Sequence, residues 1–301
     1  MLAYLFPGQG TLRVGMGGWL RRHPAAASVL DEADAVLRMP ISQLCARGPI
    51  ADLVATENAQ PAVTVCNLAA LAVLRAEGHR PGIVAGHSVG ELSALYAADV
   101  LDLATTLRLV RDRARLMAAV DGTGAMAAVL GVPLPQVEQA VAAAGTDTEP
   151  LAVGLVNAAD HVVVSGAFPA IERFRQLVGP GRRIVPLKVS NAFHSPLMAE
   201  ALDEWRRVVR EQPMRPPTVP VVPNVTATPT TDVEVLRESL TTQLVARVRW
   251  AETMQRLPAG ATCVEVGDSR TLTGFARGAG LRCLSLSEPA GLRRLAVAVT
   301  A

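Results

Sequence analysis

Aromatic residues are scarce in this chain of 301 residues. Phe, Trp and Tyr make up only 3% of it, although half of the residues are hydrophobic, so alanine, valine and leucine must build the core. Lysine is almost absent, since Lys188 is the only one and arginine carries the remaining positive charge. The formal net charge is +2, and no basic run is interleaved with aromatic residues. We therefore expect no binding of nucleic acid.

Cysteine and long apolar runs are also scarce. The four cysteines are scattered and form no Cys-x-x-Cys pair, which predicts free thiols in a reducing cytoplasm and no metal site. Residues 1–6 carry no charged side chain and lead directly into Pro7-Gly8, which predicts neither a signal peptide nor a membrane anchor. No uninterrupted apolar run attains the ~18 residues that a bilayer requires. These absences predict a cytoplasmic protein that binds no membrane.

Short apolar runs alternate with segments of helical periodicity, which is typical of an α/β fold. The predicted strands of the larger part of the chain are 2–6, 83–85 and 262–266. The predicted helices there are 62–76, 103–117 and 233–244. Five prolines between Pro213 and Pro223 exclude a long helix and predict an extended segment.

Residues 124–190 have a different pattern. Their predicted elements are, in order, strand 125–130, helix 134–144, strands 151–156 and 161–165, helix 170–178 and strand 183–189. This β-α-β-β-α-β order is the ferredoxin-like arrangement. We therefore predict an α/β protein in which residues 1–123 and 191–301 form a large α/β-hydrolase-like catalytic domain with a mostly parallel sheet. Residues 124–190 would form an inserted ferredoxin-like α+β subdomain.

The sharpest chemical signal is Gly86-His87-Ser88-Val89-Gly90. It follows the predicted strand 83–85 and precedes a segment with helical spacing, which is the context of a Gly-x-Ser-x-Gly nucleophile elbow. The glycines remove Cβ atoms that would clash in such a tight turn. The following helix directs its N-terminal N–H groups and positive dipole end toward developing negative charge. The pattern predicts Ser88 as a nucleophile.

A serine hydroxyl needs a base within hydrogen-bonding reach. Among five histidines, His194 is favoured because it lies where the insert ends and the large domain resumes. His87 adjoins Ser88, but the sharp turn should direct its side chain away. No aspartate stands out as a third member of a triad, and a backbone carbonyl could orient the imidazole ring instead.

The oxyanion formed by attack of Ser88 needs preorganised donors. Elbow geometry assigns one of them to the backbone N–H of Val89. The loop 6–10, which follows the first predicted strand, could supply the second. A plain glycine turn explains that loop equally well.

Several motifs, in order, resemble those of one family. They are Phe6-Pro7-Gly8-Gln9-Gly10 with Gly15-Met16, Gln60-Pro61-Ala62, the elbow with Glu91, Gly124 to Val129, Val162 to Gly166, Ala192-Phe193-His194-Ser195, Val248-Arg249-Trp250 and Glu265-Val266-Gly267. Over essentially all 301 residues the chain resembles the malonyl-CoA:acyl carrier protein transacylases and the acyltransferase domains of polyketide synthases.

The resemblance implies a role for each matching position. Ser88 would be the acylated nucleophile and His194 its base. Gln9 and Val89 would supply the N–H groups of the oxyanion hole. Gln243, ahead of Val248-Arg249-Trp250, would orient His194 through its backbone carbonyl.

Arg113 matches the arginine that holds the free carboxylate of a malonyl group. A planar guanidinium binds a carboxylate through two parallel hydrogen bonds and rejects acyl groups that leave it unpaired. Without the resemblance, Arg111, Arg113 and Arg115 would be interpreted as ordinary solvated charges on a helix.

The chain also departs from the family pattern. Common glycines are replaced by Ala114 and Asp99, and an expected Pro-Gly pair by Asp268-Ser269. Asn191 stands where polyketide domains often carry histidine or tyrosine. Asn191 and Asp268-Ser269 are expected to line or border the acyl pocket. Phe193 is bulky, which favours an acyl group without a substituent at C2.

The resemblance implies a soluble serine acyltransferase with a ping-pong mechanism. It would move a malonyl group from coenzyme A to the pantetheine thiol of an acyl carrier protein. The coenzyme A thioester is a substrate, and no metal or other cofactor is implied. Carrier proteins of this type are generally acidic, so a docking patch is predicted among the following arginines: Arg173, Arg175, Arg182, Arg183, Arg206, Arg207 and Arg210.

Three alternatives remain open at the level of sequence. The first is a discrete polyketide-pathway acyltransferase for a substituted malonyl or a non-carboxylated acyl group, moved between carriers. The second is an acyl hydrolase, because esterases share the elbow. The third is a docking subunit of a larger synthase with a vestigial site, against which intact Ser88, His194 and Gln9 argue.

Overall fold

The computed structural model describes residues 1–300, except for the side chains of Thr11 and Thr300. The strands are β1 (Leu2–Phe6), β2 (Ile83–Gly86), β3 (Gly124–Leu130), β4 (Leu151–Ala158), β5 (His161–Ala167), β6 (Arg183–Pro186), β7 (Val221–Val222), β8 (Thr262–Glu265) and β9 (Cys283–Ser285). The helices are α1 (Pro24–Leu37), α2 (Ile41–Arg47), α3 (Ile50–Val54), α4 (Thr56–Ala76), α5 (Gly90–Ala97), α6 (Leu103–Ala119), α7 (Leu134–Ala144), α8 (Phe168–Val178), α9 (Leu202–Arg210), α10 (Val233–Thr242), α11 (Trp250–Arg256), α12 (Thr271–Gly278) and α13 (Pro289–Thr300).

Within the described residues the strands form two sheets. The larger one is parallel throughout and has the order β7-β2-β1-β8-β9. Because parallel strands share a direction, their carboxyl ends meet along one edge, where open α/β sheets bind ligands. The loops after β1, β2, β7 and β8 therefore lie side by side, and these loops hold the segments singled out above.

The second sheet is antiparallel, has the order β4-β5-β3-β6, and lies wholly within residues 124–186. Its side chains alternate between two cores, as expected for a strand period of two. Met126 and Ala128 pack into the core of the parallel sheet, whereas Ala127 and Val129 pack beneath α7 and α8. The antiparallel sheet is thus attached to the rest of the protein through one face.

Its edge strand β4 is also bonded directly to the segment ahead of α11. The Val156 N–H donates to the Val248 carbonyl at 2.9 Å, and the Val248 N–H donates to the Gly154 carbonyl at 2.8 Å. These bonds hold the two sheets together close to Ala246, whose carbonyl contacts His194.

The predicted α/β class and the β-α-β-β-α-β insert are confirmed. The exact domain boundaries, 1–123 with 191–301 and 124–190, stay a prediction. The strand predicted for 183–189 ends at Pro186, because the Val189 N–H turns back to the Leu187 carbonyl and leaves the ladder. The helix predicted for 62–76 begins at Thr56, since Pro61 near its start removes only one backbone bond. The helix predicted for 233–244 ends at Thr242.

Helix α4 is the longest helix among the described residues. Among the described residues it is the one helix long and apolar enough, by length and composition, to cross a membrane. However, 83% of its most apolar window is buried inside the protein. It packs against α1 and α6 and belongs to the main hydrophobic core.

Candidate active site

The chain turns sharply at Ser88, between β2 and α5. Ser88 has a φ of 52°, a left-handed conformation that non-glycine residues rarely adopt. A Cβ on Gly86 would lie 2.0 Å from the carbonyl carbon of Gly90, and a Cβ on Gly90 would lie 2.2 Å from the Phe6 carbonyl oxygen. Only glycine fits at both positions, so the geometry is that of the predicted nucleophile elbow.

Asn224 braces this turn from both sides. It follows β7, next to β2 in the sheet. Its Oδ1 accepts a hydrogen bond from the Ser88 N–H at 2.7 Å, and its Nδ2 donates to the Gly86 carbonyl at 2.5 Å. Because one amide bonds the backbone before and at Ser88, it stabilises the left-handed conformation that exposes the serine oxygen.

Ser88 and His194 are joined by a hydrogen bond of 2.7 Å between Oγ and Nε2. On the other side of the ring, Nδ1 lies 3.0 Å from the Gln243 carbonyl and 3.2 Å from the Ala246 carbonyl. Carbonyl oxygens only accept, so Nδ1 carries the proton and Nε2 is left to accept the proton of the serine hydroxyl. The predicted contacts of His194 with Ser88 and with the Gln243 carbonyl are therefore present.

Arg113 lies beside this pair, although it belongs to a helix rich in arginine. Its side chain is 1% exposed, whereas Arg115 on the same helix is exposed. Nη2 lies 3.3 Å from Ser88 Oγ, and Nη1 donates to Gln60 Oε1 at 2.6 Å. Nε and Nη2 both donate to Gln243 Oε1, at 3.2 and 3.0 Å. A buried cation therefore lies next to Ser88 Oγ.

Glu91 completes a buried polar network under the elbow. It occupies the first turn of α5 and is fully buried. Its Oε2 accepts from Gln243 Nε2 at 2.7 Å and from the Asn224 N–H at 3.0 Å. Gln243 thus contacts Glu91 and the Ser88 carbonyl with its amide nitrogen, and Arg113 with its amide oxygen.

Burial shifts the proton affinities of these groups. Desolvation, together with the charge of Arg113, lowers the pKa of His194 from 6.5 to about 3, so the imidazole is neutral at ordinary pH. Desolvation lowers the pKa of Arg113 to about 10, which leaves the guanidinium charged. Desolvation raises the pKa of Glu91 to about 7.

Ser88 opens into a cavity of about 280 Å³ between the two sheets. Its polar lining includes Ser88, His194 and Arg113, and its apolar lining includes Met126 and Phe193. The loop after β1 forms one wall, and its residues Pro7, Gly8, Gln9 and Gly10 all face the cavity. A small cavity with an apolar wall and a few convergent polar groups is typical of a ligand site.

The loop after β1 approaches the elbow closely. A Cβ on Gly8 would lie 2.7 Å from the His87 carbonyl oxygen, so this approach requires glycine. Asn67 Nδ2 donates to the Pro7 carbonyl at 3.0 Å and fixes the loop from below. Gln9 lines the same cavity as Ser88, and Val89 follows Ser88 at the start of α5; their roles as oxyanion donors stay predictions.

His87 and Phe193 immediately precede Ser88 and His194 in the chain. His87 also lines the cavity, and the expected orientation of its side chain away from Ser88 stays a prediction. His87 Nε2 is 2.8 Å from Asn157 Oδ1, so its ring contacts Asn157. Phe193 lines the cavity.

Asn191 does not line this cavity among the described residues. Its Nδ2 donates to the carbonyls of Met117 and Val120 at 2.9 and 3.0 Å, which holds the end of α6 against the segment leading to His194. Its predicted contact with substrate stays a prediction, and the contact present here is with the backbone.

Two of the other departures from the family pattern, Asp99 and Asp268-Ser269, have local explanations. Asp99 has a φ of 60°, a conformation for which glycine is preferred and aspartate is tolerated. Asp268 accepts from Arg13 at 2.7 Å and from the Gly17 N–H at 2.6 Å, so it joins the loop after β8 to the segment after β1. Ser269 lines the cavity, as predicted for the Asp268-Ser269 pair.

Sequence reasoning assigned no role to Asn224, Glu91 or Gln60. Asn224 could have been found as a polar residue at the carboxyl end of a strand, but β7 is only two residues long and lies within a proline-rich stretch. Glu91 and Gln60 lie in helices in which nearly every side chain is buried. Such helices have no polar face, so the periodicity of their sequence does not show that these two polar side chains are buried.

Comparison with known proteins gives a consistent result. The family model described as "Acyl transferase domain" matches residues 3–274. A malonyl CoA-acyl carrier protein transacylase from Synechocystis sp. is 39% identical over 277 residues, which cover 91% of this chain and 92% of the relative.

Solved structures agree in fold. An acyl carrier protein S-malonyltransferase from Vibrio cholerae superposes with a TM-score of 0.93 at 33% identity, and the match covers 98% of this chain and 99% of the other. A malonyl-transacylase solved in complex with its type II PKS acyl-carrier protein superposes with a TM-score of 0.92 at 32% identity, covering 97% of each chain. With a serine elbow, a histidine bonded to the serine and a match over most of its length, this chain belongs to the acyl transferase domain family.

Proposed function

We propose that this protein transfers a malonyl group from coenzyme A to the pantetheine thiol of an acyl carrier protein. The observation that carries the substrate assignment is the buried Arg113 guanidinium, 3.3 Å from Ser88 Oγ. An acyl group attached to Ser88 places its far end within reach of this cation. A malonyl carboxylate satisfies the cation, whereas an acetyl group leaves it facing apolar atoms.

In the first half-reaction, Ser88 Oγ attacks the thioester carbonyl carbon while His194 Nε2 takes the hydroxyl proton. The negative charge that develops on the carbonyl oxygen is stabilised by the N–H groups of Val89 and Gln9. Collapse of the intermediate breaks the carbon–sulfur bond, and the leaving thiolate takes the proton from His194. The product is malonyl-Ser88 with free coenzyme A.

In the second half-reaction, the carrier thiol gives its proton to His194 and attacks the ester carbonyl. The carbon–oxygen bond to Ser88 breaks, and Ser88 Oγ recovers the proton. One thioester replaces another with no change in oxidation state, so the proposal requires no metal or redox cofactor. We also infer that the protein works in the cytoplasm, the location already predicted from its composition.

Phe193 and the apolar wall of the cavity favour a malonyl group without a substituent at C2. A methyl at that carbon would need space in a cavity of about 280 Å³ that must also admit the thioester end of the donor.

The fate of the acyl-enzyme distinguishes a transferase from a hydrolase. Purified malonyl-Ser88 enzyme, freed of coenzyme A, is incubated with or without holo carrier protein, and intact-mass spectrometry follows both proteins. We expect the malonyl group to persist on Ser88 in buffer and to move to the carrier within the mixing time. Equal rates of loss with and without carrier would identify a hydrolase.

The neutral state of His194 predicts the pH dependence of acylation. A base works only when unprotonated, and the pKa of His194 is lowered to about 3, so loss of active base begins only as the pH approaches that value. We expect single-turnover acylation of Ser88 to be constant within about 2-fold between about pH 8 and about pH 5. Stopped-flow acylation at several pH values, with tryptophan fluorescence as the check on folding, measures this. A midpoint near 6.5 would show a solvated histidine instead.

Several arginines of the predicted docking patch already pair with acidic side chains of this protein, which leaves fewer of them for a partner. On α9, Arg206, Arg207 and Arg210 pair with Asp203, Glu204, Glu211 and Glu238, which cancels their charge toward a partner. Arg173 pairs with Glu149. Within residues 1–300, Arg175, Arg182 and Arg183 form no ion pair, and we propose these three as the contacts for an acidic carrier.

Charge reversal tests this assignment. Replacing Arg175, Arg182 and Arg183 by glutamate is expected to raise KM for the carrier about 10-fold and to leave KM for malonyl-CoA unchanged. The matched control reverses Arg206, Arg207 and Arg210, whose exposed ion pairs contribute little to stability. An unchanged carrier KM in the first variant would exclude this surface.

A further inference from the structure

Glu91 is the most unusual polar residue near the site that the proposed mechanism leaves unused. It is fully buried three residues after Ser88, and one of its oxygens, Oε1, has no hydrogen-bond partner among the described residues. Burying a carboxyl group is costly. A buried carboxyl group in the first turn after a nucleophile therefore calls for a functional explanation, and its bonds supply one.

Arg113 can bind a carboxylate only through N–H groups that face Ser88. Its Nε and Nη2 edge is occupied by Gln243 Oε1, and Nη1 also donates to Gln60. The Nη2 end of the guanidinium remains directed toward Ser88 Oγ. The amide oxygen of Gln243 thus sets which face of the cation is offered to the acyl group.

The amide of Gln243 has two possible orientations, related by a flip of oxygen and nitrogen. In the orientation present here, its Nε2 donates to Glu91 Oε2 at 2.7 Å and to the Ser88 carbonyl at 3.2 Å. The flipped amide would direct its NH₂ group at the cationic Arg113 and its oxygen at two acceptors. With Oε2 unprotonated, each of those contacts would be repulsive, so Glu91 and Arg113 together fix the amide.

We propose that Glu91 is a positioning residue for acyl-group selection: it fixes the amide of Gln243, which in turn holds Arg113 with its free end toward Ser88. Glu91 touches neither substrate nor Ser88 Oγ. It reaches Arg113 through Gln243, and its separate bond to the Asn224 N–H supports the elbow, on which both acyl groups depend equally. The inference rests on the proposed function, because Arg113 selects the acyl group there. It does not involve the base, since His194 is held by backbone carbonyls of Gln243 and Ala246.

The network needs an acceptor at Oε2 and not a negative charge. Burial raises the pKa of Glu91 to about 7, so protonated and ionised forms both occur near neutral pH. The proton can sit on Oε1, which leaves Oε2 to accept from Gln243 in either form. A glutamine at this position, with its carbonyl oxygen in place of Oε2, would preserve the same contacts.

Three variants test the proposal through the ratio of kcat/KM for acylation by malonyl-CoA to that by acetyl-CoA. In Glu91→Met, Gln243 Nε2 loses its acceptor, which weakens the hydrogen bond between the Gln243 amide oxygen and the charged Arg113. We therefore expect the ratio to fall about 10- to 100-fold, mainly through a lower kcat/KM for malonyl-CoA. In Glu91→Gln the ratio should stay within about 3-fold of the wild type. In Glu265→Met, which removes another fully buried glutamate with no contact to Arg113, both substrates should be affected equally.

Each result of these variants either supports or overturns the role proposed for Glu91. An unchanged ratio in Glu91→Met overturns the proposal, as does a loss in Glu91→Gln equal to that in Glu91→Met. If Glu91→Met does not fold, Gln243→Leu replaces it, since it removes the side-chain amide but keeps the carbonyl that holds His194; an unchanged ratio there also overturns the proposal. A wild-type enzyme that does not prefer malonyl-CoA would instead contradict the proposed function.

Discussion

Ser88→Ala is expected to abolish the acyl-enzyme and to lower the rate of malonyl transfer by about 10⁴-fold or more, since removal of a serine nucleophile leaves only binding and the oxyanion donors. Intact-mass spectrometry after incubation with malonyl-CoA measures the first effect, and transfer to carrier protein measures the second. The fold should survive, because the loss of one hydroxyl leaves the Asn224 brace on the Ser88 backbone intact.

The matched control for this variant is Ser28→Ala. Ser28 is exposed on α1, so the same chemical change there should leave acylation unaltered. A Ser88→Ala enzyme that still carried one malonyl group per chain would show that another residue is the nucleophile. His194 would then need a different partner than the Oγ that lies 2.7 Å from it.

Arg113→Ala is expected to lower kcat/KM for malonyl-CoA by about 100-fold or more, because the free carboxylate loses its charge-assisted contact with the guanidinium. Acylation by acetyl-CoA should stay within about 3-fold of the wild type or rise, since acetyl makes no ion pair with the guanidinium. A rise has a physical cause: besides desolvation, the charge of Arg113 lowers the pKa of His194, so removing this charge makes the base stronger. Parallel single-turnover acylation with both thioesters measures the change in selectivity.

The control is Arg115→Ala, two residues along the same helix, where the side chain is exposed. It should alter neither substrate by more than about 2-fold. If malonyl transfer survives Arg113→Ala nearly intact, the carboxylate is held elsewhere and the malonyl assignment fails. If both substrates are lost equally, Arg113 supports the fold rather than the selection of the acyl group.

The same carboxylate should influence the base during the reaction. A malonyl group paired with Arg113 offsets the positive charge that lowers the pKa of His194. The correct substrate therefore strengthens the base that the second half-reaction requires. An acetyl group lacks this effect, which is a further reason for slow turnover of acyl groups without a carboxylate.

The local features of the fold could be predicted because each rests on a short-range pattern. The elbow at Ser88 needs glycine on both sides of one turn, and the insert alternates strands and helices with clear periodicity. The match of helix α7 to its predicted range, Leu134–Ala144, reflects an amphipathic segment bounded by Pro133 and Gly145.

The remainder of the site depends on long-range contacts that no local pattern encodes. Asn224 lies 136 residues from Ser88 along the chain, and Gln243 lies 152 residues from Glu91. Arg113 looks like its neighbours in sequence, and only the packing of α6 shows that it is buried. The bonds of Asn191 to the carbonyls at the end of α6 are likewise long-range contacts that no local pattern encodes, and its inferred contact with substrate stays a prediction.

The central claim is that Ser88 accepts a malonyl group in preference to an acyl group without a carboxylate, because Arg113 lies beside it. The most direct measurement mixes the enzyme with malonyl-CoA and acetyl-CoA at equal concentrations, quenches within one turnover and determines the acyl group on the peptide containing Ser88 by mass spectrometry. We predict malonyl-Ser88 as the dominant product in the wild type and its loss in Arg113→Ala. Acetyl-Ser88 as the dominant product in the wild type, or an acyl group on a different residue, would contradict the account.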